Sequence, residues 1–140
     1  MQSWEQLFHF FGEHGFKLIK QSIPPQPFGN FYYTFSNGQI DFQIVQDRRE
    51  MILEIRFTED KDWWFTISLV KSLIQSKMNI KAGSDIDSEV HFLMEYMNTI
   101  IEMFSEKNYQ QTKLDLIERS KQSYREVYGD DFFKKYSLGN

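Results

Sequence analysis

The chain predicts an α+β fold: an antiparallel β-meander of about four strands, with an N-terminal helix and three C-terminal helices packed on one face. Three observations lead there. Phe31 to Phe35 and Ile40 to Ile44 each alternate with period two around Asn37-Gly38, a dipeptide favoured in two-residue hairpin turns. Met51 to Phe57 alternates in step with the second run, across the turn Asp47-Arg48-Arg49-Glu50. Beyond Trp64 the apolar positions Leu69, Val70, Leu73, Ile74 and Met78 recur at helical spacing instead.

The turns set the expected registers. Ser36 opposite Gln39 pairs Phe35 with Ile40, Tyr33 with Phe42 and Phe31 with Ile44, all on one face. Gln46 opposite Met51 places Ile44 across from Leu53, Phe42 across from Ile55 and Ile40 across from Phe57. On the other face it sets Asp41 against Arg56, Gln43 against Glu54 and Val45 against Ile52. One face is therefore expected to be buried and the other mostly solvated, with Asp41 and Arg56 as an opposite-charge cross-strand pair.

The remaining elements follow in order. Ser3 and Gln6 form a Ser-x-x-Gln capping box ahead of Trp4, Leu7, Phe8 and Phe11, which predicts a short helix ending near His14 and Gly15. Phe16 to Lys20 reads as a first strand. Residues 21–30 contain Pro24, Pro25, Pro27 and Gly29 and predict an extended connector. Thr66 or Ser68 is expected to cap the second helix. Asp85 and its neighbours offer N-caps to a long helix buried through Val90, Leu93, Met94, Met97, Ile100, Ile101 and Phe104. The last helix is expected from Gln111 to Tyr128, marked by Leu114, Ile117, Tyr124 and Val127 and stopped by Gly129. Residues 129–140 then form a short amphipathic segment and a frayed tail of one domain spanning 1–140.

Composition bounds the function. A length of 140 residues is enough for one core that buries about two-thirds of the unfolded surface. The absence of cysteine excludes disulfides, thiol catalysis and cysteine-bound zinc. The sequence shows no signal pattern and no apolar run long enough to cross a bilayer, so a cytoplasmic protein without membrane attachment is expected. The net charge of −4 argues against a nucleic-acid partner and favours a basic protein.

Catalytic chemistry finds little support. His9 and His14 lie on the first helix, and His91 has only Glu95 at i+4, a poor metal site. Asp41 and Glu54 share a sheet face, but Arg56 opposite Asp41 favours a structural ion pair over a two-carboxylate hydrolase. No catalytic residue, metal or cofactor is expected. Charge is more telling: residues 82–106 carry Asp85, Asp87, Glu89, Glu95, Glu102 and Glu106 with no Lys or Arg, whereas residues 107–126 carry five bases against three acids. Two antiparallel helices of opposite sign would form surface salt bridges, and acids in a first helical turn are favoured by the dipole alone. Any remaining part of the acidic face would steer a basic protein.

Four segments also carry a likeness. Gly15-Phe16-Lys17-Leu18, Phe28-Gly29-Asn30, Asp47-Arg48-Arg49-Glu50 and Trp63-Trp64-Phe65-Thr66, the last followed by Leu69-Val70-Lys71-Ser72-Leu73-Ile74, resemble small immunity proteins of bacterial polymorphic and contact-dependent toxin systems. The resemblance implies a cytoplasmic protein that binds a cognate toxin domain and occludes its active site, with an acidic patch where the toxin is a basic nuclease. It transfers no binding residues. The expected contact residues are first Asp85, Asp87, Glu89 and Glu95, and second the solvated sheet face at Tyr32, Asp41, Gln43 and Glu54, in a monomer or weak dimer. The alternative is a small-molecule binding protein or enzyme with a pocket between sheet and helices lined by Trp63 and Trp64. A third reading is an adaptor pairing through Tyr32, Val45 and Ile52.

Overall fold

A computed structural model describes residues 3–22, 30–47, 50–75 and 85–135, with side chains as far as residue 122. A 3-10 turn, Ser3–Glu5, leads into helix α1 (Gln6–Glu13). The strands are β1 (Lys17–Ser22), β2 (Phe31–Ser36), β3 (Ile40–Asp47), β4 (Glu50–Phe57) and β5 (Phe65–Thr66), followed by helices α2 (Ile67–Ile74), α3 (Ile86–Met103) and α4 (Tyr109–Lys135). The strands form one antiparallel sheet in sequence order, β1 to β5. The fold is thus α+β as expected, with a fifth strand of two residues, Phe65–Thr66, beyond the four expected. The proline connector falls largely outside the described residues.

The β3–β4 register is the expected one at every pair from Ile40–Phe57 to Gln46–Met51. The β2–β3 register differs by two: Phe35 pairs with Phe42, Tyr33 with Ile44 and Phe31 with Gln46. The loop is centred on Gly38 and Gln39, because Asn37 Oδ1 accepts from the backbone N–H of Gln39 (2.9 Å) and of Ile40 (2.8 Å). Asn37 thereby acts as a side-chain turn former, and Gly38 takes the positive φ of 91° that the first central position needs. A shift by two leaves every side chain on its expected face.

The inner face and the helices make the core. Leu7 and Phe11 of α1, Phe35, Ile40, Phe42, Ile44, Leu53 and Ile55 of the sheet, Ile67 and Val70 of α2, and Val90, Leu93, Met97 and Ile100 of α3 are all buried. Phe11 stacks on Phe42 with centroids 4.9 Å apart and packs against Phe35 at the same distance. The α1 capping box does not form: Ser3 Oγ donates to the Asp87 carboxylate of α3, and the start of α1 has no side-chain cap. At its other end His14 Nδ1 donates to the Phe10 carbonyl (3.0 Å), and Gly15 has φ 82°.

Capping and packing place the later helices. Thr66 Oγ1 accepts from Leu69 N (3.1 Å) to start α2, and Asp85 Oδ1 accepts from Ser88 N (2.7 Å) to start α3. The final carbonyls of α3, which a helix leaves without internal partners, are met from outside. Glu102 O accepts from Ser105 Oγ (2.7 Å) and Asn108 Nδ2 (3.0 Å), Met103 O from Thr112 Oγ1 (2.7 Å), and Phe104 O from Gln39 Nε2 (3.2 Å).

Helix α4 departs from expectation twice. It runs through Gly129 to Lys135, since a helical glycine costs only about 1 kcal/mol relative to alanine and does not by itself end a helix. Its buried positions among the described side chains are Tyr109, Thr112 and Leu116, while Leu114 is 62% exposed. That row at +3 and +4 spacing was hidden by its polar member; Tyr124 and Val127 have side chains outside those described. Tyr109 stacks on Phe57 (4.4 Å, 10°), and Arg119 Nε donates to Ser72 Oγ of α2 (2.6 Å). The expected salt bridges between α3 and α4 do not occur among the described residues: α2 packs against both helices, and Lys113 and Arg119 of α4 bond to Asp60 and Ser72 instead.

Candidate protein-binding face

The outer face of the sheet is assembled by register into rows in which Thr34 and Asp41 are buried and Gln43 and Glu54 half-buried. One row runs Lys20–Thr34–Gln43–Glu54–Thr66 across all five strands, and the rows beside it are Ser22–Tyr32–Val45–Ile52 and Lys17–Ser36–Asp41–Arg56. A register shift between Leu18 and Lys20 lets β1 contribute Lys17 and Lys20 to this one face. Ile19 in between is left 59% exposed.

In the central row hydrogen bonds run in one direction. Thr34 Oγ1 donates to Gln43 Oε1 (3.1 Å), and Gln43 Nε2 donates to Glu54 Oε1 (3.2 Å). Accepting from Thr34 fixes which way the Gln43 amide points. Glu54 is half-buried, and that burial raises its carboxyl above the ordinary range, opposed in part by the Gln43 bond. Tyr32, Val45 and Ile52 are each half-buried in the next row, with Lys20 Nζ 5.8 Å from the Tyr32 ring centre.

The neighbouring pair is a structural lock. Asp41 is 1% exposed. Its Oδ2 accepts from Arg56 Nη2 (2.7 Å) and Nε (3.0 Å), and its Oδ1 accepts from Thr58 Oγ1 (2.8 Å). The Trp64 ring covers the Arg56 guanidinium at 4.3 Å. A buried carboxylate needs this much compensation for its lost hydration.

The acidic helix is built differently. Asp85 is the N-cap of α3 and Asp87 accepts from Ser3, both as exposed residues. Glu89, expected at a contact surface, is 7% exposed and lies in the α2–α3 junction. Burial pushes its carboxyl up to about 7, against the attraction of Lys71 and a hydrogen bond from the Ser68 backbone, and Asp85 adds to the rise. Glu95 alone of these four is exposed with no hydrogen bond or ion pair among the described residues; Asp87, His91, Glu95, Asn98 and Glu102 are all exposed along the helix. Lys71 Nζ donates to Ser88 Oγ (2.7 Å) rather than to an acid of α3.

Other expectations resolve similarly. Trp63 lies under Lys113 (5.0 Å) and stacks with Phe65, whereas Trp64 covers Arg56. Consecutive residues of extended chain face opposite ways, and the two indoles lie against different cations. His9 is exposed and bound to Glu13, and the described residues include no group of three or more His, Cys, Asp or Glu placed to hold a metal.

Sequence reasoning missed two parts of this chemistry. Thr34 was an ordinary outer-face residue until the register placed it beside Gln43. The cluster in which Tyr109 Oη (2.5 Å) and Lys113 Nζ (2.8 Å) both donate to Asp60 Oδ2 joins residues 49 and 53 positions apart, and no local signal announces it. These bonds hold the Asp60 carboxyl low despite some burial, while burial and Asp60 together push the Tyr109 hydroxyl up. Among the described residues no helix is long and apolar enough to cross a membrane. No family model, curated protein or solved structure matches the chain.

Proposed function

We propose that the protein is a non-enzymatic, cytoplasmic inhibitor of the immunity type. It binds a basic toxin domain, such as a nuclease, and occludes that domain's active site, with the outer sheet face as its docking surface. One observation carries the choice of surface: the outer face holds polar side chains in a fixed arrangement, with Thr34 and Gln43 ordered onto a half-buried Glu54. Ordering before contact reduces the entropy lost on binding. Tyr32, Arg56 and Trp64 beside it are of the residue types that dominate interface energetics. The acidic helix is second in this reading, because Asp85, Asp87 and Glu89 are each engaged in holding α3 in place. The overall charge of −4 supplies attraction to a basic partner at long range.

The test is neutralisation. The chain is expected to protect cells that express the toxin domain encoded beside its gene, and to form a complex with that purified domain. Tyr32→Ala together with Gln43→Ala should weaken the complex by about tenfold or more, as loss of central contacts does, while Glu95→Lys leaves it within about twofold. An enzymatic product formed by the chain alone, or a neighbouring gene with no toxic activity, would overturn the reading.

A further inference from the structure

Glu54 stands apart from the other half-buried or buried acids among the described residues. Asp41 has Arg56, Asp60 has Lys113, and Glu89 has Lys71 close enough to attract it. The described groups around Glu54 offer no such charge. Across β3 lies Gln43, across β5 lies Thr66, and on β4 itself Arg56 is committed to Asp41; the nearest base in its row, Lys20, is on β1 with β2 and β3 between. One Glu54 oxygen accepts from Gln43, and the other has no donor among the described residues.

We propose that Glu54 is the receptor for a lysine or arginine side chain presented by a basic protein, and that Thr34 and Gln43 hold its carboxylate in position to receive it. This rests on the inhibitor reading and names the chemistry of its central contact. A cation entering here meets a carboxylate already part-stripped of water and held by a one-way chain of donors, so neither the acid nor its neighbours need rearrange. The arriving charge supplies what burial removed, so the pair is charge-complementary in a site where neither ion is fully solvated. Binding is then linked to protonation: the cation binds the ionised form, lowers the Glu54 pKa and weakens as pH falls through that pKa. The same chemistry excludes acidic partners from this face.

The experiment uses the full chain and a short lysine–glycine peptide as probe, followed by NMR of backbone amides and side-chain carboxyls from mildly acidic to neutral pH. The expected result is chemical-shift change centred on Thr34, Gln43 and Glu54, with a fall in the Glu54 pKa at saturation. Glu54→Gln retains an acceptor for Gln43 and so preserves the row. It should weaken peptide binding by about fivefold, the upper range for a solvent-accessible ion pair, and abolish the pH dependence. Shifts confined to Asp87, Glu95 and Glu102, no binding, or an unmoved Glu54 pKa would each overturn the proposal. The two readings fail separately: a toxin neutralised equally well by Glu54→Gln at every pH sinks this inference alone. Peptide capture at Glu54 by a chain that protects no cell sinks the inhibitor reading alone.

Discussion

The outer sheet face and the outward side of α3 both carry acids, yet they differ in how those acids are held. On α3 the carboxylates lie along a solvated helix, and those with partners serve the fold: Asp85 caps, Asp87 bonds Ser3 across to the N-terminal turn, and Glu89 sits in the junction with α2. On the sheet the groups are fewer but mutually constrained, with Asp41 clamped by Arg56 and Thr58, and Glu54 held by Gln43. Density of charge in the sequence therefore marked the region where charge does structural work. The more ordered polar surface came from residues scattered over five strands.

The largest test of this contrast is the lock on the sheet. Arg56→Ala leaves Asp41 buried with Thr58 as its remaining donor and should cost about 3–5 kcal/mol. Urea denaturation measures it, and a loss below about 1 kcal/mol would mean that the pair behaves as a surface contact.

Next comes Glu89. Its folded pKa, up to about 7, lies above its unfolded value, so the folded state retains a proton that the unfolded state releases. Stability conferred by the protonated form is present below the ordinary glutamate range and is lost as pH rises toward 7. The protein should thus be more stable in mild acid than above neutrality, by about 1–3 kcal/mol from this group. Glu89→Gln keeps an acceptor for Ser68 and should flatten that profile while raising stability above neutral pH. Thermal melts across the range decide it.

Asp85→Ala removes only a cap and should cost about 1 kcal/mol with little pH dependence. At the small end, Glu95→Lys should change stability by no more than about 0.5 kcal/mol, and its effect on a complex should be confined to salt dependence. A large effect of Glu95 on affinity, with none from the sheet face, would reverse the ranking of the two regions.

Much of the fold was legible because it rests on local chemistry. Period-two alternation marked β2, β3 and β4, the short turn set the β3–β4 register pair for pair, and Thr66 and Asp85 cap the helices they precede. The β2–β3 register was harder. Asn37-Gly38 and Gly38-Gln39 are both acceptable turn centres, and a side-chain bond from Asn37 chose the second. Helix α4 was misread at Leu114 and Gly129, because its buried row passes through Thr112 and its length is supported by more than propensity at one glycine.

The candidate site divides along the same line. Asp41 opposite Arg56 and Gln43 opposite Glu54 follow from the register alone, since cross-strand neighbours are fixed once one pair is known. Whether those neighbours are solvated or buried is not a property of the pair. Tertiary structure decided that Asp41 is enclosed with Arg56 under Trp64, that Thr34 extends the row into Glu54, and that Glu89 faces α2 while Lys113 and Arg119 of α4 turn to Asp60 and Ser72. The physical reason is range. Alternation, turns and caps act over a few residues of chain, whereas desolvation and ion pairing depend on which distant element arrives.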